Sequence, residues 1–181
     1  MYRKFHLLAI LALAAPLVPA ATLQQLSMDQ MTDLATSVVR ARVTGVSAAI
    51  STASGTPTIY THYQLQVSEV WKGSALPEVA MPGGTVNGQH QDFPGVPELK
   101  VGSEYVLFLW KSSTTGTIQT LGLTQGIFEV SDQADGSIVA HRRQSGELMV
   151  DAAGHRVTDR AVRMGLTQMK ARVRRGPEAA Q

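Results

Sequence analysis

Thr61-His62-Tyr63-Gln64-Leu65-Gln66-Val67-Ser68-Glu69-Val70-Trp71 alternates apolar and polar side chains along most of its length. Tyr63, Leu65, Val67 and Trp71 fall on one face, with His62, Gln64, Gln66 and Ser68 opposite. This is the period of two expected of a strand with one buried face. Glu69 interrupts the apolar face while Val70 offers an apolar side chain, and a bulge near Ser68 reconciles the two. Glu69 is read as sitting at that bulge or beside an edge partner such as a lysine. The competing reading is a buried, perturbed acid. Lys72-Gly73-Ser74 ends the strand.

The same alternation appears upstream, where Val39, Ala41 and Val43 oppose Arg40, Arg42 and Thr44. Gly45 to Pro57 is small and polar and reads as a loop or hairpin tip. Val79-Ala80-Met81 is a short strand running into Pro82-Gly83-Gly84. From there to Gly102, glycine and proline are too frequent for continuous regular structure. Tyr105 to Trp110 is an unbroken apolar run and reads as a strand buried on both faces. Ile118–Leu123 and Gly126–Val130 are expected to form a hairpin pair, and Asp135-Gly136 is a turn before Ser137 to Ala140. Leu148-Met149-Val150 and His155-Arg156-Val157 form a further small hairpin that turns at Ala153-Gly154.

Two helices flank these strands. Ser27 and Gln30 stand at the reciprocal positions of a capping box. At the other end, Thr158 is placed to cap a helix and Val157 to staple it to Val162. Val162, Leu166, Met169 and Val173 make its apolar stripe, Gly165 weakens it, and Gly176-Pro177 ends it. The expected organisation is a β domain over residues 21–157, an amphipathic helix over 158–176 and a flexible tail over 177–181. Short antiparallel strands separated by turns favour a small barrel or a sandwich, so the fold class is mostly β.

Residues 1–20 read as a cleavable signal peptide. Tyr2-Arg3-Lys4 is followed by an apolar run from Leu7 to Ala15, too short to span a bilayer, and Val18-Pro19-Ala20 precedes a cleavage point at Ala21. A periplasmic or secreted location follows from that reading. The chain has no cysteine, which excludes disulfides, thiolate metal sites and a cysteine nucleophile. The net charge of +2 matches Arg3 and Lys4, so the chain from Ala21 onward is formally neutral. Its charge is unevenly spread: residues 21–140 hold 5 basic and 10 acidic side chains, residues 141–175 hold 9 and 3. An acidic body with a basic tail points to an anionic partner or to self-docking.

The stretch from Leu23 to Val130 resembles a group of uncharacterised exported bacterial proteins. The likeness rests on Leu34-Ala35 leading into Val38-Val39-Arg40-Ala41-Arg42-Val43, on Ile59-Tyr60-Thr61, and on Val67 to Gly73. It continues through Pro82-Gly83-Gly84, Gly95-Val96-Pro97, Val101 to Leu109 and Gly122 to Phe128. More distantly, the order helix, strand, long strand ending in Trp71-Lys72-Gly73, then Glu104-Tyr105-Val106-Leu107-Phe108 is similar to netrin-like domains. These include the inhibitory domain of tissue inhibitors of metalloproteinases. The resemblance implies an OB-like barrel and a protein-binding role. Inhibitors of that family chelate a protease zinc through an N-terminal cysteine, a mechanism a cysteine-free chain cannot share.

No catalytic motif stands out. His62, His90, His141 and His155 have no zinc-ligand spacing, although His90 and Asp92 share one loop and could reach a metal together. Asp132 to Gly136 lacks the oxygen ligands of a calcium loop, and no Gly-x-Ser-x-Gly elbow occurs. The segment from Gly83 to Gly102 is the candidate working surface, with Asn87, Gln89, His90, Gln91 and Phe93 able to make contacts. Arg160, Arg163, Lys170 and Arg174 are expected on one flank of the last helix. That flank is either solvated or bound to an anionic envelope polymer or lipid. Basic side chains interleaved with exposed aromatics, the pattern for single-stranded nucleic acid, are absent, so no nucleic acid is expected. The expectation is a non-enzymatic, cofactor-free exported module that binds another exported protein, with an exported protease as one target. Two alternatives stay open. One is a metal-dependent or hydrolytic enzyme using His90, Asp92 or Glu69, and the other is an envelope protein held by its basic helix.

Overall fold

The computed structural model describes residues 22–176, so the expected signal peptide, its cleavage point and the tail lie outside the described residues. The strands are β1 (Thr22–Gln24), β2 (Ser37–Ser51), β3 (Thr58–Lys72), β4 (Glu78–Pro82), β5 (Gly84–Val86), β6 (Gln89–Gln91) and β7 (Glu104–Lys111). They continue as β8 (Ile118–Thr120), β9 (Ile127–Asp132), β10 (Ile138–Arg142), β11 (Leu148–Val150), β12 (Arg156–Val157) and β13 (Val162–Gly165). Helix α1 spans Met28–Leu34 and α2 spans Leu166–Arg175. The main sheet runs β13-β10-β9-β7-β2-β3-β4, with β8 paired to β7 as well. It is antiparallel throughout. A small sheet, β1-β11-β12, and the hairpin β5-β6 complete the described residues.

The fold is mostly β with two helices, as the alternation predicts. The expected barrel does not close, because β4 and β13 are the free ends of an open sheet. β8 comes alongside β4 without pairing to it. The region from Gly45 to Pro57, read as a loop or hairpin tip, does contain the hairpin tip, but only over residues 52–57; Gly45 to Ser51 are the far half of a long ribbon, with β2 and β3 paired out to Ser51 and Thr58.

Both faces of the sheet are apolar. Val39, Ala41, Val43, Tyr63, Leu65, Leu107 and Leu109 fill one face. Val38, Val106, Phe108, Phe128 and Ala140 fill the other, where Met28 and Met31 of α1 and Leu166, Met169 and Val173 of α2 cover them. A bulge does occur at Ser68: Arg40 pairs with Glu69 and Ala41 with Val67. The extra residue flips the alternation. Val70 continues the face of Tyr63, whereas Trp71 joins the helix-covered core. Trp71 therefore lies opposite the face that simple alternation gave it.

The capping box at α1 forms in both directions, Gln30 N to Ser27 Oγ at 3.2 Å and Ser27 N to Gln30 Oε1 at 2.9 Å. The Lys72 ammonium closes the other end of the helix on the carbonyls of Thr32 and Asp33, at 2.6 and 2.9 Å.

The last helix is shorter than its apolar stripe suggested. Val162 to Gly165 pair with β10, and Gly165 is the residue before the helix rather than its interior. The free edge of β10 offers this segment ladder hydrogen bonds, and Val162 and Gly165 are weak helix formers, so pairing wins. Thr158 caps nothing and lies exposed between strands. The hairpin expected between Ile118–Leu123 and Gly126–Val130 is also absent. β8 and β9 each pair with β7, at its two ends, and a 3-10 turn over Leu123–Gly126 carries the chain between them.

That switch depends on Gly126. A Cβ there would stand 2.5 Å from the Leu121 carbonyl oxygen and 3.1 Å from that of Phe108, both backbone atoms. Gly126→Ala is expected to destabilise the fold by about 1–3 kcal/mol, as overpacking does. Gly146→Ala, with open space around it, should change stability by less than about 0.5 kcal/mol. Urea denaturation of the two variants checks the contrast.

Candidate functional site

The residues expected to act in the Gly83–Gly102 segment separate into different jobs. Asn87 and Gly88, with φ of 52° and 76°, form the two-residue turn of the β5-β6 hairpin. Asn87 and Gln89 are exposed at its tip. His90 is held by Thr85, with Nδ1 and Oγ1 3.0 Å apart. Gln91 is structural: its Oε1 accepts from Ile59 N at 2.6 Å and its Nε2 donates to the Pro57 carbonyl at 3.3 Å, tying the hairpin to the ribbon. Phe93 is exposed. His90, Gln91 and Asp92 border a cavity of about 350 Å³ beside Tyr63 and Met81. Among the described residues, no three His, Asp or Glu side chains gather as metal ligands.

The second half of that segment does more. Pro94, Gly95, Val96 and Pro97 line a cavity of about 480 Å³ together with Leu23, Leu123, Thr124, Ser145, Gly146, Glu147 and Leu148. An adjoining cavity of about 250 Å³ shares Pro97, Thr124 and Ser145, and adds Glu129, His141 and Arg142. The shared residues make one groove, apolar at one end and polar at the other. Leu123 sits in it with φ of 53°, a left-handed conformation rare for leucine.

At the polar end, Asp159 is 3 % exposed. It accepts from the two terminal guanidinium nitrogens of Arg142, Nη1 and Nη2, at 2.7 and 2.8 Å, and from the Ser145 N–H at 2.8 Å. Burial alone would raise its carboxyl, but these donors hold it below the ordinary range. Glu147 goes the other way. Burial raises its carboxyl, and the Thr124 hydroxyl, 3.0 Å from Oε2, offsets that in part. The Ser145 hydroxyl is near enough to favour the ionised form without meeting hydrogen-bond geometry. Five buried side-chain polar atoms among the described residues lack a hydrogen-bond partner. Four of them, His141 Nδ1, Arg142 Nε, Ser145 Oγ and Glu147 Oε1, belong to residues lining this groove.

No protein-family model and no curated protein matches this chain. The groove is therefore read from its own chemistry. Of its residues, Pro94-Gly95-Val96-Pro97, Glu98 and Lys100 fell inside the candidate segment read from the sequence. Leu23, Leu123, Thr124, Ser145 and Glu147 come from three other stretches that no local spacing connects. Among the described residues, no serine hydroxyl bonds a histidine: His141 stands 3.8 Å from Glu129, and His62 2.7 Å from Glu78.

Glu69 and the basic residues of the last helix also fall differently from expectation. Arg160 lies in the loop before β13, and Arg163 is on β13, bonded to Gln133, so neither is on the helix. Lys170 is on α2 but bonds Glu69, while Arg174 is exposed. The four cations do not form one helical flank, because the segment that carries two of them is a strand and its edge. Glu69 has the lysine partner foreseen for it. It also accepts from Arg40 Nη1 at 3.1 Å and Trp71 Nε1 at 3.2 Å.

Lys170 first, then Arg40 and Trp71, hold the Glu69 carboxyl at about 2, well below its ordinary 4.5. Its contribution to stability is complete above the ordinary value and is lost as pH falls through that range toward 2. The shift corresponds to at most about 3 kcal/mol. Glu69→Gln should lower stability at pH 7 and flatten its decline between pH 5 and 2.5. Urea melts of both proteins across that range test it, and parallel declines would contradict this assignment.

Proposed function

We propose that this protein is an exported, non-enzymatic binding module and that the groove between residues 94–97 and 141–148 takes a segment of another exported protein. The observation that carries this reading is the concentration of unpartnered buried polar atoms in one place. A buried polar atom without a partner costs about 1–3 kcal/mol, and folded proteins keep few of them. Four on one seven-residue stretch, beside apolar Val96, Leu123 and Leu148, fit a surface finished by contact with another molecule. The strained Leu123 backbone supports the same reading, since strain of this kind collects at functional sites. Two of the acids near the groove are already engaged, Asp159 with Arg142 and Glu129 beside His141.

The finer architecture belongs to the same proposal. Five strands, β8, β7, β2, β3 and β4, curl so that the first approaches the last, which supports an OB-like half-barrel with a helix-covered outer face. Its resemblance to netrin-like inhibitors makes an exported protease the favoured partner class. Reading residues 1–20 as a cleaved signal peptide supports a periplasmic or extracellular location for the module.

Crosslinked affinity capture from the exported fraction tests the reading, using the chain from Ala21, Val96→Asp and Ala134→Asp. Val96→Asp puts a carboxylate into the apolar end of the groove, while Ala134 is in the exposed β9-β10 turn. A partner recovered at least tenfold less by the groove variant, a loss of about 1.4 kcal/mol, and equally by the turn variant is the expected result. Equal recovery by all three, or no partner at all, overturns it.

A further inference from the structure

The ribbon of β2 and β3 outruns the sheet that carries it. β7 pairs with β2 only from Ser37 to Arg42, and Val43 completes that contact, donating to the Ser103 carbonyl at 3.0 Å and accepting from Gly102 N at 2.8 Å. From Gly45 to Ser51, β2 has β3 on one side, and among the described residues no strand pairs with its other side. Bonds at the far side of the ribbon set the direction of each peptide group here. The Ile59 carbonyl accepts from Gly83 N at 2.7 Å, and Leu65 N donates to the Pro77 carbonyl at 2.8 Å, both away from β2. Successive residues of a strand bond to opposite sides, so Tyr60, His62 and Gln64 bond toward β2. Their partners Ala49, Ser47 and Gly45 bond back toward β3. The N–H and C=O groups of Val46, Ala48 and Ile50 therefore point outward as a free edge.

Free edges are commonly blunted by charged side chains or by proline. β4 carries Glu78 and Pro82, and the short β13 carries Arg163. The ribbon edge has neither device, since no charged residue and no proline occurs from Val43 to Thr56. Val46 and Ile50 are 54 % and 44 % exposed, on one face of the strand with Ala48 between them. None of the three lines the groove proposed for a partner.

We propose that two copies of this chain pair through these edges, β2 antiparallel to β2, with a twofold axis at Ala48. The register is self-complementary. Val46 stands opposite Ile50 of the second copy, Ala48 opposite Ala48 and Ile50 opposite Val46, each pair exchanging two hydrogen bonds. A shift by two residues in either direction leaves one outward-facing residue of each copy without such a partner. The ladder stops at Val43, whose peptide groups already belong to Gly102 and Ser103. One face of the pairing sets Val46 against Ile50, and the other sets Ser47 against Ala49, so no charge meets a like charge. The net charge of +2 gives two whole copies little repulsion. An uncharged edge offers a foreign sequence no selective contact, whereas its own copy meets every outward group in register. The contact is isologous and closes at two copies. One strand pair buries less than the roughly 1,200 Å² of a stable complex, so the dimer is reversible, with a Kd of about 1–100 µM.

The chain has no cysteine, so a single introduced thiol reports the register. Residues paired in this way have Cα atoms about 5.5 Å apart, inside the reach of a disulfide, which ends near about 7 Å. Under mild oxidation Ala48→Cys is expected to form a disulfide-linked dimer at least about tenfold faster than Gln89→Cys, a control exposed on the β5-β6 hairpin. Val46→Cys and Ile50→Cys should each link slowly alone, because each stands opposite the other rather than itself, and rapidly when mixed. Sedimentation of the purified protein across the expected Kd range should show a monomer–dimer equilibrium. Val46→Lys, which places a charge on the edge, should weaken the dimer at least about tenfold while its urea midpoint stays close to that of the parent. Ala48→Cys linking no faster than Gln89→Cys, or a protein that sediments as a monomer throughout, overturns the pairing. A dimer that a folded Val46→Lys leaves intact overturns this edge as its interface.

Discussion

The structure depends on a sheet that must be covered on both faces. Val38 and Val39 are neighbours on β2, both fully buried, and each faces a different core. The same holds along β7, where Val106 and Phe108 face the helices while Leu107 and Leu109 face the curl of the sheet. Each buried side chain of this size is worth roughly 1.5–3 kcal/mol, so neither face can be left to water. One cover is local, the curl that brings β8 beside β4. The other is assembled from the two ends of the chain, α1 and α2, which have to meet on the far side of β7.

That second cover is held by charge as well as by packing. The bulge at Ser68 turns Glu69 toward the helix side of the sheet, where Lys170 reaches it from α2. Arg172 pairs with Asp29 of α1 through two hydrogen bonds of 2.8 Å each. Basic side chains that looked like a solvated or polymer-binding face are thus partly consumed in docking the helix. Leu166, Met169 and Val173 form part of the core itself. The helix is a structural cover for the face of the sheet that holds Phe108 and Phe128.

Legibility in the sequence followed the range of the interactions. The capping box at Ser27, the bulge at Ser68, the double burial of β7, the Asp135-Gly136 turn and the hairpin of β11 with β12 are set by residues a few positions apart, and each could be read from its neighbours. The β5-β6 hairpin carried an equally local mark, Asn87-Gly88, that was hidden by the surrounding glycines and prolines. The failures are non-local. Val162 to Gly165 fit a helical stripe, but the free edge of β10 captured them as a strand. Ile118–Leu123 and Gly126–Val130 read as partners because they are adjacent, whereas β7 offered each a longer and more apolar neighbour. The groove is the extreme case: Leu23, Val96, Leu123 and Glu147 come from four stretches brought together only by the finished fold.

Where those four stretches meet also explains why the groove carries so many unmet hydrogen bonds. Residues 141–147 leave β10 and must reach β11, the central strand of the small sheet. They pass a buried Arg142–Asp159 pair whose geometry uses the Ser145 amide. A loop anchored at both ends in this way cannot move its backbone toward water without breaking the pair or the β1-β11 ladder. Removing one partner of a buried ion pair costs about 3–5 kcal/mol, more than one unmet polar atom costs. The fold therefore tolerates the lesser deficit, and the loop keeps His141, Ser145 and Glu147 in fixed places. Fixed, partly unsatisfied and bordered by apolar side chains, these groups need little reorganisation to receive a complementary surface. That preorganisation supports the proposed recognition by the groove over the exposed tip at Asn87 and Gln89, where exposed side chains would have to be ordered first.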